Sequence, residues 1–186
     1  MTSSFRSTAV VGAGAVGSFF GAMLARAGHP VTLIARPAHV QAIEREGLRL
    51  QMAGRVEAIR TAARTDIGAV RGADLVLFCV KSTDTEAVAR EMAPHLADGA
   101  LVLSLQNGVE NAATIARHVR QAVVPAVVYV ATAMPEPASS PTTAAAISSS
   151  GRSMPRRHRM PRWPRACRRW STCSRPRRCR SASRPT

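Results

Sequence analysis

The run Val10-Val11-Gly12-Ala13-Gly14-Ala15-Val16-Gly17 constrains this chain more than any other stretch. It reads as the end of a strand, a glycine turn and the start of a helix. Thr8 to Val11 is short, apolar and β-branched, and Ala15 to Ala27 has helical composition closed by Gly28. Pro30 and a second strand, Val31 to Ala35, complete a strand–turn–helix–strand order. Gly12, Gly14 and Gly17 make G-x-G-x-x-G, in which each glycine has a separate duty. The first allows the tight turn, the second lets backbone approach a pyrophosphate, and the third lets helix lie close to strand. The helix N-terminus adds free N–H groups and the positive end of its dipole. The competing reading, an Ala/Gly-rich helix start that binds nothing, leaves that full order unexplained.

Charge divides the chain. Up to Pro137 there are 13 Arg or Lys against 11 Asp or Glu, an ordinary globular balance. From Ala138 to Thr186 there are 13 Arg and no acid, so almost all of the formal +15 lies there. The expected organisation is a dinucleotide-binding domain over 1–137 and an Arg/Pro/Ser-rich tail over 138–186, disordered for want of apolar residues. The apolar run Thr8 to Ala25 is interrupted by four glycines and followed by a strand pattern, which argues against a signal peptide or a membrane span. The expectation is a cytoplasmic protein. Cys79 falls inside a buried strand pattern and reads as an inert core residue. Cys167, Cys173 and Cys179 lack C-x-x-C spacing, so no metal site and no disulfide framework is expected.

Along the chain, Arg36 stands 19 residues after Gly17, with no acid between them. In a βαβ unit this position meets the adenosine ribose, where an acid favours NAD and an Arg accommodates the 2′-phosphate of NADP. His39 to Glu46 reads as a short polar helix, Leu48 to Met52 and Val56 to Ile59 as a hairpin, and Asp66 to Val70 as a short helix. Ala73 to Val80 is a near-continuous apolar run, as in a parallel strand buried on both faces. It ends in Lys81, the only lysine in the chain. A compact ammonium there can meet a ribose hydroxyl, a phosphate or a carboxylate, or simply lie on the surface. Ser82, Thr83 and Asp84 are candidate caps for a helix over Thr85 to Leu96. Ala100 to Leu105 is another strand, followed by Gln106-Asn107-Gly108. Asn107 can bond a nicotinamide ribose or a substrate oxygen, or serve an Asn-Gly turn before a helix over Val109 to Val119. A last strand is expected over Val123 to Val130. The fold class is therefore α/β, a Rossmann-like parallel sheet with helices on both faces.

These pieces together resemble the N-terminal domain of the ketopantoate reductase (2-dehydropantoate 2-reductase) family. The resemblance covers 8–137 and rests on Gly12-Ala13-Gly14-Ala15-Val16-Gly17, Arg36, Val80-Lys81 and Gln106-Asn107-Gly108. It implies NADP(H) as cofactor and reduction of 2-dehydropantoate to pantoate, on the route to pantothenate and coenzyme A. It implies that Gly12, Ala13, Gly14, Ala15, Val16 and Gly17 hold the pyrophosphate and that Arg36 holds the 2′-phosphate. Lys81 and Asn107 would contact the nicotinamide end, and Asn107 also the substrate. The family continues with a helical domain bearing its general-acid lysine and a binding glutamate. This sequence has no lysine after Lys81 and no acid after Glu136, so no catalytic residue is assigned.

The tail reads like a shifted frame. One base out of register, 138–151 admits G-F-V-P-H-H-G-R-G-D-L-V-I-G, which resembles the family's continuation, and Met154-Pro155, Met160-Pro161 and Trp163-Pro164 each become alanine. The expectation is a truncated product that binds NADP(H) with little or no turnover. The partner would be a small 2-oxo acid, with no specific nucleic acid and no membrane, and a homodimer is left open. Two alternatives stand beside it. One is a non-catalytic Rossmann module with a basic nucleic-acid-binding arm; the other is a related NADP-dependent 2-oxo acid reductase.

Overall fold

The computed structural model describes residues 5–52, 55–108, 110–128, 132–133 and 146–149. In chain order the elements are β1 (Thr8–Val11), α1 (Ala15–Arg26), β2 (Val31–Ile34), α2 (Pro37–Glu46), β3 (Leu48–Met52), β4 (Arg55–Ile59) and β5 (Ala62–Arg64). Then follow β6 (Leu75–Phe78), α3 (Thr85–Met92), β7 (Leu101–Ser104), α4 (Glu110–Ala116), β8 (Ala122–Pro125), β9 (Thr132–Ala133) and β10 (Ala146–Ser149). Short 3-10 turns cover Ile67–Val70, Ser82–Asp84 and Ala93–His95.

Six strands form one parallel sheet in the order β5-β2-β1-β6-β7-β8. Counted within that sheet alone, this is the 3-2-1-4-5-6 order of a Rossmann fold. Register alternates side chains between two cores. Val10, Leu33 and Leu77 lie abreast and pack with α1 and α2, through Ala22, Val40 and Ile43. Val11, Ile34 and Phe78 point the other way, into a cluster with Ala89 and Met92 of α3 and Ile115 of α4. A strand buried on both faces has no polar side to show, which is why these runs read as continuous apolar sequence.

The expected fold class is present, with local differences. The edge strand β5 was not anticipated. It has three residues, none β-branched, and only Ala63 is buried. Its place is decided by pairing with β2 and by Thr61 Oγ1, which donates to the Val31 carbonyl at 2.9 Å. The helix expected over Thr85 to Leu96 gives way at Met92 to the 3-10 turn carrying Pro94. Its N-cap Asp84 makes no side-chain cap bond, so that capping expectation is corrected; Asp84 Oδ1 instead accepts from Thr83 Oγ1 at 3.0 Å. The helix expected over 109–119 is Glu110–Ala116, and the strand expected over 123–130 is Ala122–Pro125, the last of the parallel sheet and at its edge, where proline's missing N–H costs no ladder bond; residues 109, 129 and 130 lie outside the described residues.

A second sheet has the order β4-β3-β10-β9. The β3–β4 pair is the expected hairpin, though residues 53 and 54 at its turn lie outside the described residues. β10 pairs parallel with β3 and antiparallel with β9. Ala146–Ser149 thus form a strand within the stretch expected to lack structure; 138–145 and 150–186 lie outside the described residues. No helix among the described residues is long and apolar enough to cross a membrane.

Candidate functional site

All six parallel strands end at one edge of the sheet. The order in which strands are added reverses between β1 and its parallel neighbour β6, and such switch points open a crevice for ligands. A cleft of about 520 Å³ occupies that position. It is walled by Gly12, Ala13 and Gly14 after β1, Ala35 and Arg36 after β2, Thr65 after β5, and Val80 and Lys81 after β6.

The three glycines have distinct surroundings. Gly12 adopts φ +92°, and a Cβ there would stand 2.8 Å from the Val80 nitrogen. Its N–H and that of Ala13 both donate to the Ile34 carbonyl at 3.1 Å, which turns the chain tightly over β2. A Cβ on Gly17 would lie 2.2 Å from the Gly12 carbonyl oxygen and 3.1 Å from Cys79 Cβ, so only glycine lets α1 sit this close to the sheet. Around Gly14 there is nothing within 4 Å of such a Cβ: its space is left open on the ligand side.

Gly14 is also the N-cap of α1 and brings no side chain to cap it. The first N–H groups of a helix lack intrahelical partners. The first turn carries no acid, so its positive dipole end faces the cleft unneutralised. Ser18, fully buried, donates from Oγ to the Ala13 carbonyl at 3.0 Å and braces the turn from behind.

Arg36 is exposed at the rim, as the N-cap of α2, and makes no ion pair or side-chain hydrogen bond among the described residues. Lys81 is exposed on the opposite wall. Gly12, Ala13, Gly14, Arg36 and Lys81 therefore share one cleft. Ala15 and Val16, half-buried in the first turn of α1, and the buried Gly17 do not line it, and neither does Asn107. Asn107 is exposed after β7, with Gly108 at φ +96°. Its carbonyl accepts from Asn111 Nδ2 at 2.7 Å, which accounts for the turn.

Several lining residues escaped the sequence reading. His39 sits in the first turn of α2, and Asp84, Val88 and Glu91 come from the segment around α3. His39 had one signal, its place three residues beyond Arg36; the α3 face had none, because helix periodicity does not say which turn overlooks a cleft. Cys79 is half-buried, and burial pushes its thiol from 9.0 up to about 12, so it stays protonated and unreactive as a nucleophile. Among the described residues no group of three His, Cys, Asp or Glu gathers to hold a metal.

Comparison with known proteins bears on this geometry. Residues 8–147 match the family model described as ketopantoate reductase PanE/ApbA. A 2-dehydropantoate 2-reductase of Halobacterium salinarum is 43% identical over 112 residues, which is 59% of this chain and 37% of that protein. One from Pyrococcus abyssi is 39% identical over 102 residues, 55% of this chain and 33% of the relative. The crystal structure of a PanE/ApbA family ketopantoate reductase from Ralstonia eutropha superposes with TM-score 0.72 at 55% identity, covering 78% of this chain and 47% of that one. The chain thus spans a third to a half of the length of these proteins.

Proposed function

The chain belongs to the ketopantoate reductase PanE/ApbA family, and from that membership we propose that its Rossmann domain binds NADP(H) for the reduction of 2-dehydropantoate to pantoate. The observation that carries the reading is the convergence of Gly12, Gly14 and Arg36 on one cleft at the switch point of the sheet. The free N–H groups of α1 would receive the pyrophosphate, with Gly14 leaving room for it. Arg36 would pair with the 2′-phosphate, its planar fork matching two phosphate oxygens. Lys81 and Asn107 would meet the nicotinamide-ribose side, and Asn107 a substrate oxygen. Bound NADPH supplies a hydride for the substrate's ketone carbon; the fold's part is to orient that donor and keep phosphates and ribose in register.

The proton for the ketone oxygen has no donor that we assign in this chain. The sequence holds no lysine after Lys81 and no acid after Glu136. We therefore propose a protein that binds NADP(H) in the cytoplasm and turns over ketopantoate little unaided. The compositional break after Pro137 supports translation of 138–186 out of frame. Titration with NADPH and NADH by nucleotide fluorescence, followed by a ketopantoate reduction assay, tests this. The expected result is binding with NADPH preferred and negligible turnover. Absence of NADPH binding would overturn the first part, and rapid turnover the second. Sequencing the gene decides the frame: early stop codons in the alternative frame would refute the shift.

A further inference from the structure

We infer that Gln106 is a positioning residue, the centre of a hydrogen-bonded clamp that holds the Lys81 loop and the Asn107 turn in fixed register. The inference uses the cofactor reading above only for what the clamp orients. Gln106 follows β7, and its Nε2 donates to the Val80 carbonyl at 2.9 Å and to Thr85 Oγ1 at 2.7 Å. Its Oε1 accepts from Ser104 Oγ at 3.3 Å. Thr85, 2% exposed at the start of α3, passes the chain on: its hydroxyl donates to Asn111 Oδ1 at 3.2 Å. Asn111 Nδ2 then donates to Ser82 Oγ at 3.1 Å and to the Asn107 carbonyl at 2.7 Å.

The accounting is complete at both amides. Each NH2 has two hydrogens, and each spends both on a named acceptor. The orientation is also forced, because the Val80 and Asn107 carbonyls can only accept and so require nitrogen, not oxygen, facing them. The contacts fall on Val80 and Ser82, either side of Lys81, and on Asn107 itself. Lys81 and Asn107 side chains take no part. They project from two loops after adjacent parallel strands, and backbone pairing between those strands stops at Phe78 and Ser104 apart from one bond, from the Leu105 N–H to the Phe78 carbonyl. Beyond it, the clamp sets the relation of the two loops. The Gln106 and Thr85 bonds are part-buried, where a polar group left without its partner is costly, so loss of one member should loosen both loops together.

The test compares Gln106→Leu with the unsubstituted protein. NADPH affinity should fall about tenfold, while affinity for adenosine 2′-phosphate, which reaches Arg36 but has no nicotinamide half, should stay unchanged. Amide hydrogen exchange in the ligand-free protein should rise at 80–82 and 107–108 and stay level across 34–43. Thr85→Val should repeat both effects and Thr85→Ser should retain the native behaviour, which keeps the clamp testable should Gln106→Leu fail to fold. Unchanged exchange at 80–82 and 107–108 in the folded variants, or equal losses for both nucleotides, would overturn it. Should the unsubstituted protein bind neither nucleotide, the cofactor reading falls, and exchange alone still decides the clamp.

Discussion

The two ends of the crevice are built by different means. At the β1–α1 end the geometry is made of backbone: Gly12 and Gly17 are required because Cβ atoms would strike Val80 and the Gly12 carbonyl. At the β6–β7 end it is made of side chains, the Gln106–Thr85–Asn111 network joining two loops. Backbone geometry shows in sequence as glycine at fixed spacing, since few residues can replace it. A side-chain network shows as scattered Gln, Thr and Asn, indistinguishable from surface composition. The first end should therefore be intolerant of a Cβ at Gly12 or Gly17, and the second more tolerant in stability than in ligand geometry.

The sharpest way to break this comparison is Gly17→Ala. With its Cβ 2.2 Å from a carbonyl oxygen, α1 must move off the sheet. The expected cost is about 3 kcal/mol or more, read as a lowered urea midpoint with NADPH binding lost. A variant as stable as the parent would show that the close packing is not needed. Next is Arg36→Ala, expected to weaken NADPH by roughly tenfold to a hundredfold, as for a lost charge-assisted bond. NADH affinity should be unaltered. Equal losses for both nucleotides would place Arg36 away from the 2′-phosphate.

Gly14→Ala separates folding from binding at the same turn. Its Cβ meets nothing within 4 Å and its φ of −77° suits alanine. Stability should fall by less than about 1 kcal/mol, the difference between glycine and alanine at an N-cap. NADPH should weaken all the same, because the methyl enters the space left for phosphate. Retained affinity would move the pyrophosphate elsewhere. The smallest effect concerns Cys79. With the folded thiol raised to about 12 from 9.0, the native state holds its proton while the unfolded chain releases it between those values. Below pH 9 the group is neutral in both states and contributes no pH dependence. Above it, stability should decline as pH rises towards 12. Peptide mapping after alkylation at pH 8 should find Cys79 labelled only in denaturant; labelling in the native protein would contradict its burial.

How far the residues announced the fold follows the same division. Gly12, Gly14 and Gly17 and the apolar runs at 8–11, 31–34, 75–78 and 101–104 were legible, because each answers a local steric or burial demand; Arg36, exposed, was legible only by its distance from the glycines. β5 was not, because Ala62–Arg64 is a strand only by virtue of pairing with β2. His39, Asp84 and Glu91 joined the cleft for a similar reason: turns of α2 and the α3 segment were brought over it by packing. By itself, then, the amino-acid order determined a parallel α/β sheet with a glycine turn at the head of its first helix, since burial on two faces and the absence of a Cβ are properties of single residues. Which side chains face one another across the strand ends was decided only by the tertiary structure. Gln106 has no meaning until the Val80 carbonyl, 26 positions earlier, stands 2.9 Å away, and nothing in the sequence between them specifies that meeting.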